Sequence, residues 1–242
     1  MSSSQPSSPG SRQSINTSNK DDSTTKLSTA STIPDQLKNK TKEAHFGEGN
    51  LNRPVVERAS KPTRDHRKCM KRASKSCTGS AYVKFMLDHL KKIGCDTGIE
   101  EGNVLCEPCD GKLLGGFDPD RKEVVLCENT IYNQGCMDTV LTHELIHAYD
   151  YCRVNYEKEN LKHLACTEIR AANLSGDCFF WKENFARFNL GWRGHQQECV
   201  KERATKSILC VHKVSEETAK QAVEDVFEAC FNDTAPFERI PP

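Results

Sequence analysis

The sequence predicts an α+β domain, disulfide-rich and preceded by a disordered head, on three observations. A Ser/Thr-rich segment with only scattered apolar side chains opens the chain. A short hairpin pattern is followed by four segments of helical periodicity. All 13 cysteines lie between Cys69 and Cys230, about 8% of that span, which approaches the density of disulfide scaffolds.

From Met1 to about Leu51, Ser, Thr, Asn, Gln and Lys dominate. Such a segment cannot offset its ordering entropy by burial, so residues 1–60 are expected to be a disordered segment. Residues 61–232 are then the folded domain and 233–242 a tail; about 175–185 ordered residues suffice for a real core. The 34 basic and 34 acidic residues balance, which argues against nucleic acid as a partner. No apolar run approaches the length of a membrane span. The N-terminus has neither the apolar centre of a secretory signal nor the Arg-rich amphipathic pattern of a transit peptide, so import by a cleavable presequence is not expected.

Residues 52–77 hold Arg53, Arg58, Lys61, Arg64, Arg67, Lys68, Lys71 and Arg72, with Lys75 a ninth cation. They read first as a solvated linker, and otherwise as a contact for an anionic membrane surface. Tyr82, Phe85, Met86, Leu90 and Ile93 then recur at helical spacing, with Gly94 as the stop. Residues 112–117 read as a strand, with Gly115 and Gly116 marking a bulge; residues 118–121 have turn chemistry, and 122–127 form a second strand. The spacing predicts a helix over 137–151, with Asp138 as its N-cap, and another over 161–174. Residues 179–188 are apolar and read as core. Two amphipathic helices cover 195–209 and 216–230, the second capped by Ser215, and an irregular tail follows from Asn232.

The helix over 137–151 contains His143-Glu144-Leu145-Ile146-His147. Residues four apart share a helix face, so the two imidazoles can close on one metal ion. Zinc takes neutral nitrogen ligands and keeps an open position for water in catalytic sites. Glu144 stands where its carboxylate can take a proton from water as it attacks a peptide carbonyl. The pattern arises by chance in roughly one chain in a hundred of this length, and the uninterrupted helix around it strengthens the match. One Zn2+ with His143 and His147 as ligands and Glu144 as catalytic base is therefore the expectation.

A catalytic zinc site wants a third protein ligand. Glu168, His163 and Asp150 are the candidates. Ala165, Glu168, Ala171 and Ala172 fall on one face of the following helix, and small side chains there allow close approach. A carboxylate on such a face needs a partner, which favours Glu168 on the metal; the competing reading pairs it with Arg170 or Arg153. Asp150 reads equally as an acceptor behind an imidazole, and His163 as exposed.

Among the cysteines only Cys106 and Cys109 form a close pair, with no second such pair for a zinc ribbon and no surrounding βαβ pattern for a redox motif. Disulfides for most thiols are expected, with at least one cysteine left over. An oxidising compartment without a secretory signal points to the mitochondrial intermembrane space.

The blocks from His143 to Asp150 and from Ala165 to Cys178 resemble the mitochondrial inner-membrane metallopeptidases that mature ATP synthase subunit 6. The resemblance covers about Cys69 to Phe231. It implies a zincin-like domain of the minigluzincin type, with His143 and His147 as metal ligands and Glu144 as catalytic glutamate. It also implies a peripheral place on the intermembrane-space side of the inner membrane, reached through thiol-oxidising import machinery. The implied activity is removal of the N-terminal propeptide of the subunit 6 precursor, with separate help in assembling the ATP synthase membrane sector. Two other readings stand beside it: an assembly chaperone whose proteolysis is dispensable, and a nuclear DNA-associated metalloprotease supported only by the basic stretch.

Overall fold

Helix α1 spans Arg64–Gly79, so residues 64–77 of the basic stretch, expected to be a solvated linker, are helical. Thr63 caps it by accepting the His66 N–H, and Cys69, Ala73 and Ser76 form a narrow buried stripe. Its cations Arg64, Arg67, Lys68, Lys71 and Lys75 are exposed. The computed structural model describes residues 61–95, 99, 104–109, 113–178 and 194–241; the head and the apolar segment 179–188 lie outside these.

Helix α2, Ala81–Lys92, buries Val83, Met86, Leu87 and Leu90. Gly94 follows its cap at φ +70°, the left-handed position that glycine adopts without strain. Three strands come next: β1, Val104–Glu107; β2, Gly115–Asp118; and β3, Glu123–Cys127. The β2–β3 hairpin was legible, its turn held by Asp118 Oδ1 accepting the Asp120 and Arg121 N–H groups. Strand β1 was not anticipated; it pairs in parallel with β3, giving the order β1-β3-β2. Gly115 and Gly116 pair in register with Leu126 and Val125, so they mark no bulge. Gly115 answers to close packing instead: a Cβ there would lie 2.9 Å from both Val125 O and Val140 Cγ1.

Helix α3 runs Gln134–Arg153. Its N-cap is Asn133, which accepts the Cys136 N–H, and not Asp138. Asp138 already lies one turn inside, where it bonds Ser76 of α1 and Gln134. Helices α4, Leu161–Leu174, α5, Gly194–Val211, and α6, Glu216–Asn232, complete the order, α6 with Ser215 accepting the Thr218 N–H.

The buried apolar residues form two groups. One joins α1, α2, the sheet and α3, with Ala171 and Leu174 of α4; the other joins the rest of α4 to α5 and α6. Disulfides pin the first group at Cys69–Cys106, Cys95–Cys152 and Cys109–Cys127. Cys166–Cys230 and Cys178–Cys199 pin the second. Cys106 and Cys109 therefore serve two different bridges, which excludes a metal or redox role for that close pair. Cys77 and Cys136, packed against the first core, and the exposed Cys210 lie outside these five bridges. The segment after α6 is irregular, and it packs: Phe237 stacks on Phe85 with ring centroids 4.7 Å apart. No described helix is long and apolar enough to cross a membrane.

Candidate metal centre

The seam between the two cores is where α3 meets α4, and the candidate site lies there. Four-residue spacing puts His143 and His147 on one face of α3, with ring centroids 4.8 Å apart. Ala171 of α4 is buried in the core that α3 belongs to, and its small size lets the two helices approach, while Ala165 and Ala172 are buried in the second core. Glu168 then projects between the imidazoles. Its Oε2 is 3.6 Å from His143 Nε2 and its Oε1 3.6 Å from His147 Nε2.

The other candidates turn elsewhere. The His163 ring accepts the Glu157 N–H through Nδ1. Asp150 faces Thr167, Arg170 and Arg153, and both arginines bind Asp150 and Asp233 rather than Glu168. The competing ion pair for Glu168 is thus absent among the described residues.

Burial raises the Glu168 carboxyl, but the fields of His147 and His143 and hydrogen bonds from His143 and Ser207 outweigh it, taking it down to about 2. Burial drives the His147 imidazole down, towards the neutral form that a metal needs. For His143 burial also lowers it, yet the hydrogen bond to Glu168 and the nearby carboxylates prevail and raise it. Burial pushes Glu144 up to about 7; the His143 field lowers it, Glu168 raises it further, and the Phe117 N–H bond lowers it.

The three donors suit a small divalent cation. Their ligating atoms all lie within 4.8 Å of one another. A tetrahedral zinc at ordinary bond lengths wants neighbouring donors about 3.3 Å apart, close to the 3.6 Å found. His143, His147 and Glu168 would hold it, and it would supply Lewis acidity towards a carbonyl and water. Glu144 stands beside that triad, fixed by the Phe117 N–H of β2, where its carboxylate can take and return a proton. Among the described residues β2 pairs on one side only, leaving a strand edge next to Glu144.

Sequence reasoning missed three contributors and named a fourth, Arg170, only as a partner for Glu168. Thr167 touches His147 Nδ1 at 2.9 Å, Arg170 is buried beneath Asp150, and Ser207 of α5 bonds Glu168. Tyr156 completes them: burial first, then the Glu168 and Asp150 fields, push its phenol to about 12, so it stays a proton donor. Only Arg170 had a legible signal, a charge among Ala171, Ala172 and Ile169.

Residues 67–238 match the peptidase M76 family. The mitochondrial inner membrane protease ATP23 homolog of Homo sapiens is 49% identical over 177 residues, covering 73% of this chain and 71% of that protein. The Danio rerio protein of the same name is 53% identical over 163 residues, 67% of this chain and 63% of its own length. The mitochondrial inner membrane protease ATP23 of Candida albicans is 44% identical over 168 residues, 66% of this chain and 68% of that protein. No solved structure matches. These relatives place the chain among mitochondrial proteases. By both comparisons it is a peptidase, of the metallo type by its family designation, and it belongs to the peptidase M76 family.

Proposed function

We propose that the chain is a zinc-dependent metalloendopeptidase of the mitochondrial intermembrane space. In this reading it removes the N-terminal propeptide of ATP synthase subunit 6 and assists assembly of the membrane sector. One observation carries the chemistry: Glu168 of α4 faces both His143 and His147, with Glu144 buried beside them. His143, His147 and Glu168 bind the ion. Glu144 removes a proton from the attacking water and returns it to the leaving amine. The edge of β2 that is unpaired among the described residues aligns an extended peptide by main-chain hydrogen bonds.

The five disulfides support a compartment served by thiol-oxidising import machinery. The exposed cations of α1 support peripheral contact with the inner membrane. The choice of substrate rests on the resemblance of the two blocks around His143 and Glu168. Glu144→Gln, expressed in mitochondria that lack the endogenous protein, tests it. Unprocessed subunit 6 should accumulate while assembly of the membrane sector continues. Normal processing by the variant would refute the peptidase role, and failure of both would tie assembly to catalysis.

A further inference from the structure

A file of polar side chains runs from beneath His147 to the segment after α6. His147 Nδ1 lies 2.9 Å from Thr167 Oγ1, and the Thr167 hydroxyl donates to Asp150 Oδ2 at 3.0 Å. A hydroxyl has one proton, so with that proton on Asp150 it accepts from His147 Nδ1–H. This selects the tautomer whose Nε2 lone pair faces Glu168. Asp150 accepts in turn from Arg170 Nε at 3.0 Å and Arg153 Nε at 2.8 Å.

Arg170 is only 1% exposed. Its Nη1 donates to the Asp233 backbone carbonyl and lies 2.8 Å from the Asp233 carboxylate, and its Nη2 donates to the Ala235 carbonyl. A buried guanidinium needs acceptors for its donors, and for Nη1 and Nη2 residues 233–235 supply them rather than a helix. Phe237, stacked on Phe85, clamps the same segment to α2.

We propose that residues 233–237 belong to the scaffold of the metal centre. The segment seats Arg170, Arg170 holds Asp150, Asp150 orients Thr167, and Thr167 fixes the tautomer and ring angle of His147. Thr167, Asp150 and Arg170 are positioning residues, since none reaches the ligating atoms. The inference rests on His143, His147 and Glu168 being metal ligands. It makes metal affinity depend on a segment that the helices do not require for closure, because Cys166–Cys230 already ties α4 to α6.

The test is zinc affinity of the purified chain, by competition with a chromophoric chelator, for four variants. Thr167→Val should weaken zinc binding by about 10–100-fold, the range of lost outer partners of metal ligands. Thr167→Ser keeps the hydroxyl and should stay within about threefold of wild type. A chain ending at Asn232 should weaken binding in the same direction. Combined with Thr167→Val it should lose little more, because both act through one imidazole. If the shortened chain does not fold, Phe237→Ala, which removes the clamp and leaves the backbone in place, substitutes for it. Wild-type affinity in both the valine and the shortened variants overturns the proposal, as does full additivity of the two. A wild-type chain that binds no zinc overturns the metal-centre reading as well, whereas zinc binding unchanged by the variants overturns this proposal alone.

Discussion

Replacing Gly115 by alanine should cripple catalysis without unfolding the protein. The added Cβ would lie 2.9 Å from Val140 Cγ1 and from Val125 O, and 3.4 Å from Glu144 Oε1. Carbon atoms pack at about 3.5–4.0 Å, so β2 must withdraw from α3 by about 0.6–1 Å. Overpacking of that size costs about 1–3 kcal/mol of stability. The withdrawal carries the Phe117 N–H away from Glu144 and shifts the strand edge proposed to align the peptide. A displacement near 1 Å at a reacting centre costs about 10²-fold. The assay is kcat/KM on a fluorogenic peptide, with zinc content and melting temperature measured beside it. Gly116→Ala is the control, since nothing lies within 4 Å of a Cβ there. A folded, zinc-loaded Gly115→Ala protein with kcat/KM within about threefold of wild type would refute the close-packing argument.

In zinc-free protein the folded pKa of Glu144 lies above its ordinary 4.5, at about 7. Ionisation therefore disfavours folding, and wild type should lose melting temperature relative to Glu144→Gln as pH rises from about 4.5 to about 7, then run parallel; parallel curves throughout would contradict this. Glu168, lowered to about 2, behaves oppositely: its stabilising effect is present above 4.5 and disappears as pH falls through about 2, measurable against Glu168→Gln. Removing the Cys166–Cys230 bridge by a double alanine substitution should cost about 2–4 kcal/mol, read from denaturant unfolding. Changing Arg67, Lys71 and Lys75 to glutamate should abolish co-sedimentation with anionic vesicles, each cation contributing about 1 kcal/mol, while hydrolysis of a soluble peptide is unchanged.

What was legible in the sequence was local. The two histidines of α3 share a face through helical spacing alone, and the small-residue face of α4 marked where Glu168 needed a partner. The β2–β3 hairpin showed through its turn residues. Helix α1 was hidden because its buried stripe, Cys69, Ala73 and Ser76, is small or polar, so the exposed cations dominated the pattern. Strand β1 has four residues and a parallel partner twenty positions away, a pairing that leaves no turn signature. The hydroxyl behind His147 and the carbonyls around Arg170 come from α4 and from beyond α6, and only the packed fold brings them together. Disulfide partners were illegible for the same reason.

The most direct measurement is zinc stoichiometry and peptide hydrolysis on one set of purified proteins: wild type, Glu144→Gln and Glu168→Gln. Wild type should hold one zinc per chain and cleave. Glu144→Gln should hold the same zinc and lose about 10²–10⁴-fold in kcat, because an amide cannot accept the proton. Glu168→Gln should lose zinc affinity by far more than the 10–100-fold of an outer partner. Full zinc affinity in Glu168→Gln, or full activity in Glu144→Gln, would contradict the account.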